Sequence, residues 1–467
     1  MQGEYLRYRV LWPLVPAMAM VMIDFTIVSI SATTIQTDLH LSETAVQWLV
    51  TAYALSTAAF IAFGGRLGDI FGHRSVVVAG ILIFAVSSTL CGLTPDGADI
   101  GTPWIIFFRV MQGVGGALLV PCATVLVLDA FPPGDRGKGL SVFFIVAGLF
   151  TALGPIAGSY LTEYWTWRAI FWINVPVAIL ALTEMYFVKL GDEKRPSTID
   201  WAGTFLIVAG MGLSVLGIQQ STEWGWGDPA TIGSIAAGLI LLAAFVRVEY
   251  RVSNPLIDVR AMVANRPFAI DNLLTFLAFG PWLGVFFFGS VYFQVCAQQP
   301  PTQAGFSILT MFYTFFLGAR IGGVWMDKHG AKTPVVRGFL LAAIGMVVWA
   351  QELDQLTHID TLTGMLLTGA GFGLIFSPLN ADALNRVPEE IRGQASGIVQ
   401  TFRNFGSAIG MAIMGTIVAG ATDVGGAAGA QDFANAMETA YYVGAGMLAV
   451  GFILARFMPG GKQEGIE

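Results

Sequence analysis

Three charged side chains stand inside long apolar runs of this chain: Asp24, Arg109 and Arg403. A helix rises 1.5 Å per residue, so Asp24, about 13 residues into its run, lies about 20 Å from the edge where that run begins. Arg109 is about 6 residues into a run heading the other way, about 9 Å from the far edge. Across an apolar core about 30 Å thick the two share one level. Arg403 is about 9 residues into its run, about 14 Å up, near the middle. Charges at such depth are costly and mark function by default. Burial and a nearby cation act on a carboxyl in opposite senses, so Asp24 facing Arg109 is a candidate proton carrier tuned by a guanidinium. The spacing equally allows a static pair that ties two helices, or side chains that face apart. Arg403 has no acid at its level. Its donors need carbonyls, amides such as Gln400 or Asn404, or a ligand, which makes it a cavity residue or a backbone clamp. Glu184, Asp271, Arg320 and Asp382 fall within about two turns of an edge and read as structural or gating residues.

The elements that must hold these charges follow from composition. The chain has 467 residues, 55% hydrophobic and 12% charged, with a mean hydropathy of +0.69. Soluble proteins carry about 25% charged residues, so a soluble globular enzyme and a disordered chain are both excluded. Apolar runs predict helices at about 11–33, 46–63, 75–93, 103–129, 138–161, 169–189, 201–218, 231–248, 267–293, 303–324, 335–351, 361–385, 394–420 and 440–457. Each is near the ~20 residues needed to cross a bilayer. No alternating pattern persists, which excludes a β-barrel. Arg7 and Arg9 precede a first run too long for a signal-peptide core and without a cleavage site, so it reads as an uncleaved first helix.

Charge and motif content remove further classes. The net charge is −7, with no basic domain for nucleic acid. Cys91, Cys122 and Cys296 have no metal or redox spacing and read as small packing residues. The four histidines, His40, His73, His329 and His358, fall in predicted loops, and no Ser/His/Asp constellation accompanies them. No phosphate-binding GxxxxGK[ST] loop is present, so ATP is not the expected energy source.

Basic residues set the topology, because cytoplasmic loops carry the excess of Lys and Arg. Of 24, Arg109, Arg320 and Arg403 are in or near helices and Arg168 falls on the opposite side. All the rest fall on the side holding both termini, which predicts fourteen helices with cytoplasmic ends. Outer loops carry acids such as Asp38, Glu43, Asp96, Asp99, Asp354 and Asp360.

The halves also repeat. At offset 256, Gly113, Gly115, Pro132 and Arg136-Gly137 meet Gly369, Gly371, Pro388 and Arg392-Gly393. At offset 258, Gly64, Asp69, Gly72 and Arg74 meet Gly322, Asp327, Gly330 and Lys332. Six helices with loops need about 200 residues. The excess over that matches two inserted helices, 201–218 and 231–248, and an even insertion keeps the halves parallel. The expected domains are a six-helix half over 1–190, a linker with two extra helices over 191–260, and a second six-helix half over 261–467. Substrate would bind near the midplane between the halves.

Several segments carry chemistry at characteristic spacing. GRLGDIFGHR (65–74) joins the second and third helices; its glycines allow a tight turn, Asp69 can meet a helix N-terminus and Arg74 an acid. RVMQGVGGALLVP (109–121) has an arginine followed by close-packing glycines. ALGPIAG (152–158) puts Gly-Pro in mid-helix, where proline removes a backbone bond. These resemble motifs A, B and C of the major facilitator superfamily, the last associated with its exporters. The fourteen-helix count narrows the resemblance to the EmrB/QacA-type drug:proton antiporters. IDFTIVSISATTI (23–35), WLVTAYALS (48–56), WRAIFWINVP (167–176), YFQVCAQQPPTQAG (292–305) and FRNFGSAIG (402–410) are similar to segments of that branch. The chain departs from the pattern at Ile70 and His73 in motif A, at Gly158-Ser159 in motif C, and at SISAT in the first helix.

The resemblance implies an all-α integral membrane protein of major facilitator fold, two parallel six-helix halves plus two inserted helices. Its activity would be proton-coupled export of amphipathic drugs by alternating access across a bacterial inner membrane, with a dedicated single-metabolite exporter as the alternative. Asp24 and Arg109 would couple protons. Gly65, Asp69, Gly72, Arg74, Asp129, Gly154, Pro155 and Gly158 would gate. Arg403, Gln112, Gln294 and Tyr53 would line the substrate cavity. Protons are the coupling ion and no cofactor is expected; the partners are an amphipathic small molecule and the lipid bilayer, with a monomer as the working unit.

Overall fold

Helix ends in this chain are written by local caps as much as by the apolar runs. Ser42 accepts a hydrogen bond from the Ala45 amide at 3.2 Å and starts the second helix at Glu43. Asp228 accepts from Ala230 N at 2.7 Å, with Pro229 opening the next helix. Asn265 accepts from Phe268 N at 3.2 Å. Gly72 and Gly330, one repeat apart, turn the chain between helices at φ +96° and +80°. The amide of each returns to a carbonyl four residues back, Gly68 and Met326. Both angles are in the region where glycine alone is unstrained, so the repeat read from sequence includes its turns.

The computed structural model describes residues 9–131, 136–188, 198–252, 255–353, 361–387, 392–419 and 427–460. The helices are α1 (Leu11–Leu39), α2 (Glu43–Phe71), α3 (His73–Gly92), α4 (Ala98–Ala130), α5 (Arg136–Tyr164), α6 (Ala169–Trp172), α7 (Asn174–Phe187), α8 (Trp201–Trp224), α9 (Pro229–Glu249), α10 (Val259–Ala264), α11 (Arg266–Val295), α12 (Pro301–His329), α13 (Lys332–Glu352), α14 (Leu362–Asn385), α15 (Arg392–Ala419) and α16 (Ala427–Ala455). Twelve spans among the described residues are long and apolar enough to cross a membrane; α6 and α7 together make one of them. Counting α1, whose halves Leu11–Asp24 and Thr26–Leu39 meet at 42°, as one span gives thirteen.

Most helices run past the apolar runs that predict them. The largest difference is α16, which begins at Ala427 rather than 440; its early residues are rich in alanine, the best helix former. Two of the histidines placed in loops are helical: His73 opens α3 and is buried, and His329 closes α12. His40 is the left-handed cap of α1, and His358 lies outside the described residues. The three cysteines are buried and free.

The chain divides into two compact units, Met1–Val208 with Arg251–Ile257 and Ala209–Tyr250 with Asp258–Glu467. In the first, α4 packs on α2 and α3, and α1 on α5 and α7. A Cβ on Gly80 would sit 2.9 Å from the Gly115 carbonyl, so α3 and α4 meet backbone to backbone. In the second, α14 packs on α12 and α13, and α11 on α15 and α16. There a Cβ on Gly338 would sit 2.9 Å from the Gly371 carbonyl. These are the repeat partners of Gly80 and Gly115. Within the second unit, the Ala209–Tyr250 segment of α8 and α9 closes on itself through Gly210, Gly217 and Gly238. Thr416 of α15 fastens it by donating to the Ile218 carbonyl at 2.9 Å.

Candidate functional site

α1, α2 and α4 bring Asp24, Tyr53, Arg109 and Gln112 into one polar knot inside the first unit. Arg109 Nη1 donates to Asp24 Oδ2 at 2.5 Å and to Gln112 Oε1 at 2.8 Å. Its Nε donates to the Leu49 carbonyl at 2.6 Å. Gln112 Nε2 donates to Asp24 Oδ1 at 2.7 Å. Arg109 and Gln112 are three residues apart, so one face of α4 presents both. The guanidinium lies 4.6 Å from the Tyr53 ring centroid and 5.9 Å from that of Phe171. Tyr53 is itself fixed by donating to the Val21 carbonyl at 3.2 Å. Asp24 is 0%, Gln112 0% and Arg109 1% exposed.

Of the arrangements left open by spacing, the structure therefore has the two charges in direct contact. Gln112 and Tyr53, expected to line the substrate cavity, are buried against the ion pair, turned toward Asp24 and Arg109 by their positions on α4 and α2. Each Asp24 oxygen accepts from one donor, Arg109 or Gln112, so protonating this carboxylate would weaken its bond to the guanidinium. The knot can thus exchange a proton for a guanidinium contact, a local event that alters how α1 is held to α4.

The Gly154-Pro155 segment of α5 lies directly behind. Pro155 has no N–H, which frees the Thr151 carbonyl one turn earlier. Thr26, two residues from Asp24, donates to that carbonyl at 2.8 Å. A Cβ on Gly154 would fall 2.0 Å from Thr26 Oγ1, and one on Gly158 would fall 2.7 Å from Ile27 Cγ1. Close approach of α5 thus seats the helix segment that carries Asp24. The threonine contact was not read from sequence; a hydroxyl facing a proline-freed carbonyl is visible only once the two helices are paired.

The residues grouped as a gate are spread over different partners. Asp69 contacts His73 Nε2 at 3.5 Å within its own turn. Arg74 donates to the Met185 carbonyl at 2.9 Å, joining α3 to α7. Asp129 is exposed on the last turn of α4. Gly72 makes the turn, and a Cβ on Gly65 would lie an ordinary 3.7 Å from Pro121 Cβ. Gln294 Nε2 reaches its own-helix Ser290, at 3.3 Å to both carbonyl and hydroxyl. Arg403 is half-buried on α15 with its guanidinium 5.5 Å from the Phe279 centroid.

Two ionic groups escaped the sequence reading. Arg168, the basic residue on the wrong side, reaches Asp38 at 2.9 Å and Asp96 at 2.8 Å and packs over Trp167 at 4.3 Å. Acid pairing explains its place. In the second unit Arg386, counted as an ordinary loop cation, binds Asp271 and Asp382. The Asp382–Arg386 spacing of four was the available signal; contact with α11 was not.

Among the described residues no group of His, Cys, Asp and Glu could hold a metal ion. The sequence profile of the Major Facilitator Superfamily matches residues 14–411 and 299–464. The chain is 34% identical over 417 residues to the tetracenomycin C resistance and export protein of Streptomyces glaucescens, covering 87% of this chain and 76% of that one. It is 29% identical over 396 residues to multidrug resistance protein 3 of Bacillus subtilis (strain 168), covering 84% and 76%. The fold matches a crystal structure of a D-xylose-proton symporter with a TM-score of 0.68 over 98% of both chains, at 16% identity. Paired helical units, an intramembrane ion pair and these matches agree: the chain belongs to the Major Facilitator Superfamily.

Proposed function

We propose that this protein exports amphipathic drugs or toxic small molecules in exchange for protons, by alternating access. The observation that carries the reading is the Asp24–Arg109–Gln112 knot, a fully buried carboxyl held by a guanidinium and an amide. Asp24 is the proton carrier and Arg109 sets when it lets the proton go. Residues around motifs A and C transmit the change, and Arg403 meets substrate. Relatives named for drug and antibiotic export support the direction of transport. The protein is a transporter and not an enzyme, and works as a monomer in the bacterial inner membrane.

The thirteen spans and the 29-residue α5 support fourteen crossings, and the excess of Lys and Arg on one side supports cytoplasmic termini. The domain reading, a half over 1–190, an inserted pair over 191–260 and a half over 261–467, goes with it. The test is drug-dependent proton flux in proteoliposomes. Wild-type protein should exchange drug for protons. Asp24→Asn should insert and fold, yet show no flux; wild-type exchange by that variant overturns the reading. A dedicated single-compound exporter is the second reading, favoured by the higher identity to a protein named for one antibiotic. A panel of unrelated drugs separates the two.

A further inference from the structure

The second unit holds a buried charge group that the Asp24 reading does not use. Asp271 near the start of α11 is 0% exposed, and Asp382 at the end of α14 is buried. Arg386 Nε donates to Asp271 Oδ2 and to Asp382 Oδ2, both at 2.8 Å, and its Nη2 donates to Asp382 Oδ2. Its backbone carbonyl accepts from Asn265 Nδ2 at 2.7 Å, which ties the α11 cap to the end of α14. Two carboxylates converge on one nitrogen. If both were ionised, the group would carry one uncompensated negative charge in an apolar interior, which is strongly unfavourable.

A second observation is independent of that count. Asp271 Oδ1 is buried and has no hydrogen-bond partner, and Oδ1 of neighbouring Asn272 is in the same condition. A carboxylate with one oxygen starved of donors and the other sharing its donor with a second carboxylate lacks the bonds that sustain a full charge. The charged groups acting on Asp271 are Asp382 and Arg386. Of the other elements packed on α11, α10 carries Arg260, directed to the Tyr250 carbonyl. α15 carries Arg403, over Phe279 about two turns further along. Arg456, just past the end of α16, lies over Phe452. α12 carries Arg320, exposed.

The geometry points to a proton-binding site in the second unit, formed by the Asp271 and Asp382 carboxyls sharing one proton beneath Arg386. With the proton the group is neutral, and the two acids and the guanidinium hold α11 to α14. When the carboxyl O–H breaks and the proton leaves to solvent, the group becomes net negative and the two carboxylates repel across the α11–α14 contact. This site is independent of Asp24 and does not rest on the antiport reading.

Infrared spectra of purified protein test it directly, through the C=O stretch of a neutral carboxyl. The Asp24→Asn/Glu249→Gln background removes two other buried acids. At neutral pH this background should keep a neutral-carboxyl band. Adding Asp271→Asn or Asp382→Asn should remove it, since each leaves one acid paired with Arg386 and no reason to hold a proton. Two variants are used because each acid also tethers α11 to α14. Arg386→Gln, which keeps both acids, should retain the band. Absence of the band from the background, or its persistence in both asparagine variants, overturns the proposal. The readout needs no transport, so loss of drug exchange elsewhere leaves it unaffected.

Discussion

Whether Asp24 and Arg109 act as a unit can be measured as a coupling energy. Replacing Arg109 with Met removes the guanidinium and strips donors from Asp24 Oδ2, Gln112 Oε1 and the Leu49 carbonyl, all inside the first unit. Breaking a buried ion pair by deleting one partner costs about 3–5 kcal/mol, because the other charge is left uncompensated. Asp24→Asn keeps the shape, and its amide oxygen can still accept from Gln112 Nε2. It strands the buried Arg109 guanidinium in the same way, so its cost falls in the same range of about 3–5 kcal/mol. The double variant has neither charge to strand. Its cost should fall short of the sum by at least about 1 kcal/mol, within the range of about 0.5–3 kcal/mol found for residues in contact. The assay is unfolding in mixed detergent for all four proteins, with proton-driven drug uptake in everted vesicles alongside. We expect the double variant to be less destabilised than the two single variants sum to, and inactive in uptake. Additivity within about 0.5 kcal/mol would refute the coupling. Uptake by the double variant would refute its role in transport.

Gly154→Ala should lower both stability and export, since the new Cβ would meet Thr26 Oγ1 at 2.0 Å; thermal melting and uptake report it, and Thr26→Ala should restore part of the loss. Single cysteines at Gly227, where a side chain has open space, and at Thr198 should label from opposite membrane faces in a cysteine-free background; labelling from one face contradicts the fourteen-helix topology. Arg403→Ala should weaken export of anionic substrates most, and matched monocationic and dicationic dyes should compete unequally, with dications disfavoured. Preferred export of dications with a neutral Arg403→Ala would show that Arg403 does not meet substrate.

The sequence alone determined what depends on period, composition and offset. A bilayer makes apolar length decisive, so the positions of the helices and the depth of Asp24 and Arg109 were legible as runs and counts. The repeat was legible because close helix approach tolerates no Cβ: Gly113 and Gly115, and their counterparts Gly369 and Gly371, stand where backbones touch. Azimuth was not legible. Counting places a residue along a helix axis, but its direction around the axis is fixed by packing against neighbours, since an apolar core offers no polar face to orient it. Only the tertiary structure turned Gln112 and Tyr53 onto the ion pair. It also set Thr26 against the carbonyl that Pro155 frees, and joined Asp271 to an acid and an arginine more than 100 residues away. Each is a contact between helices distant in sequence, and a one-dimensional pattern records the partners without recording which of their faces meet.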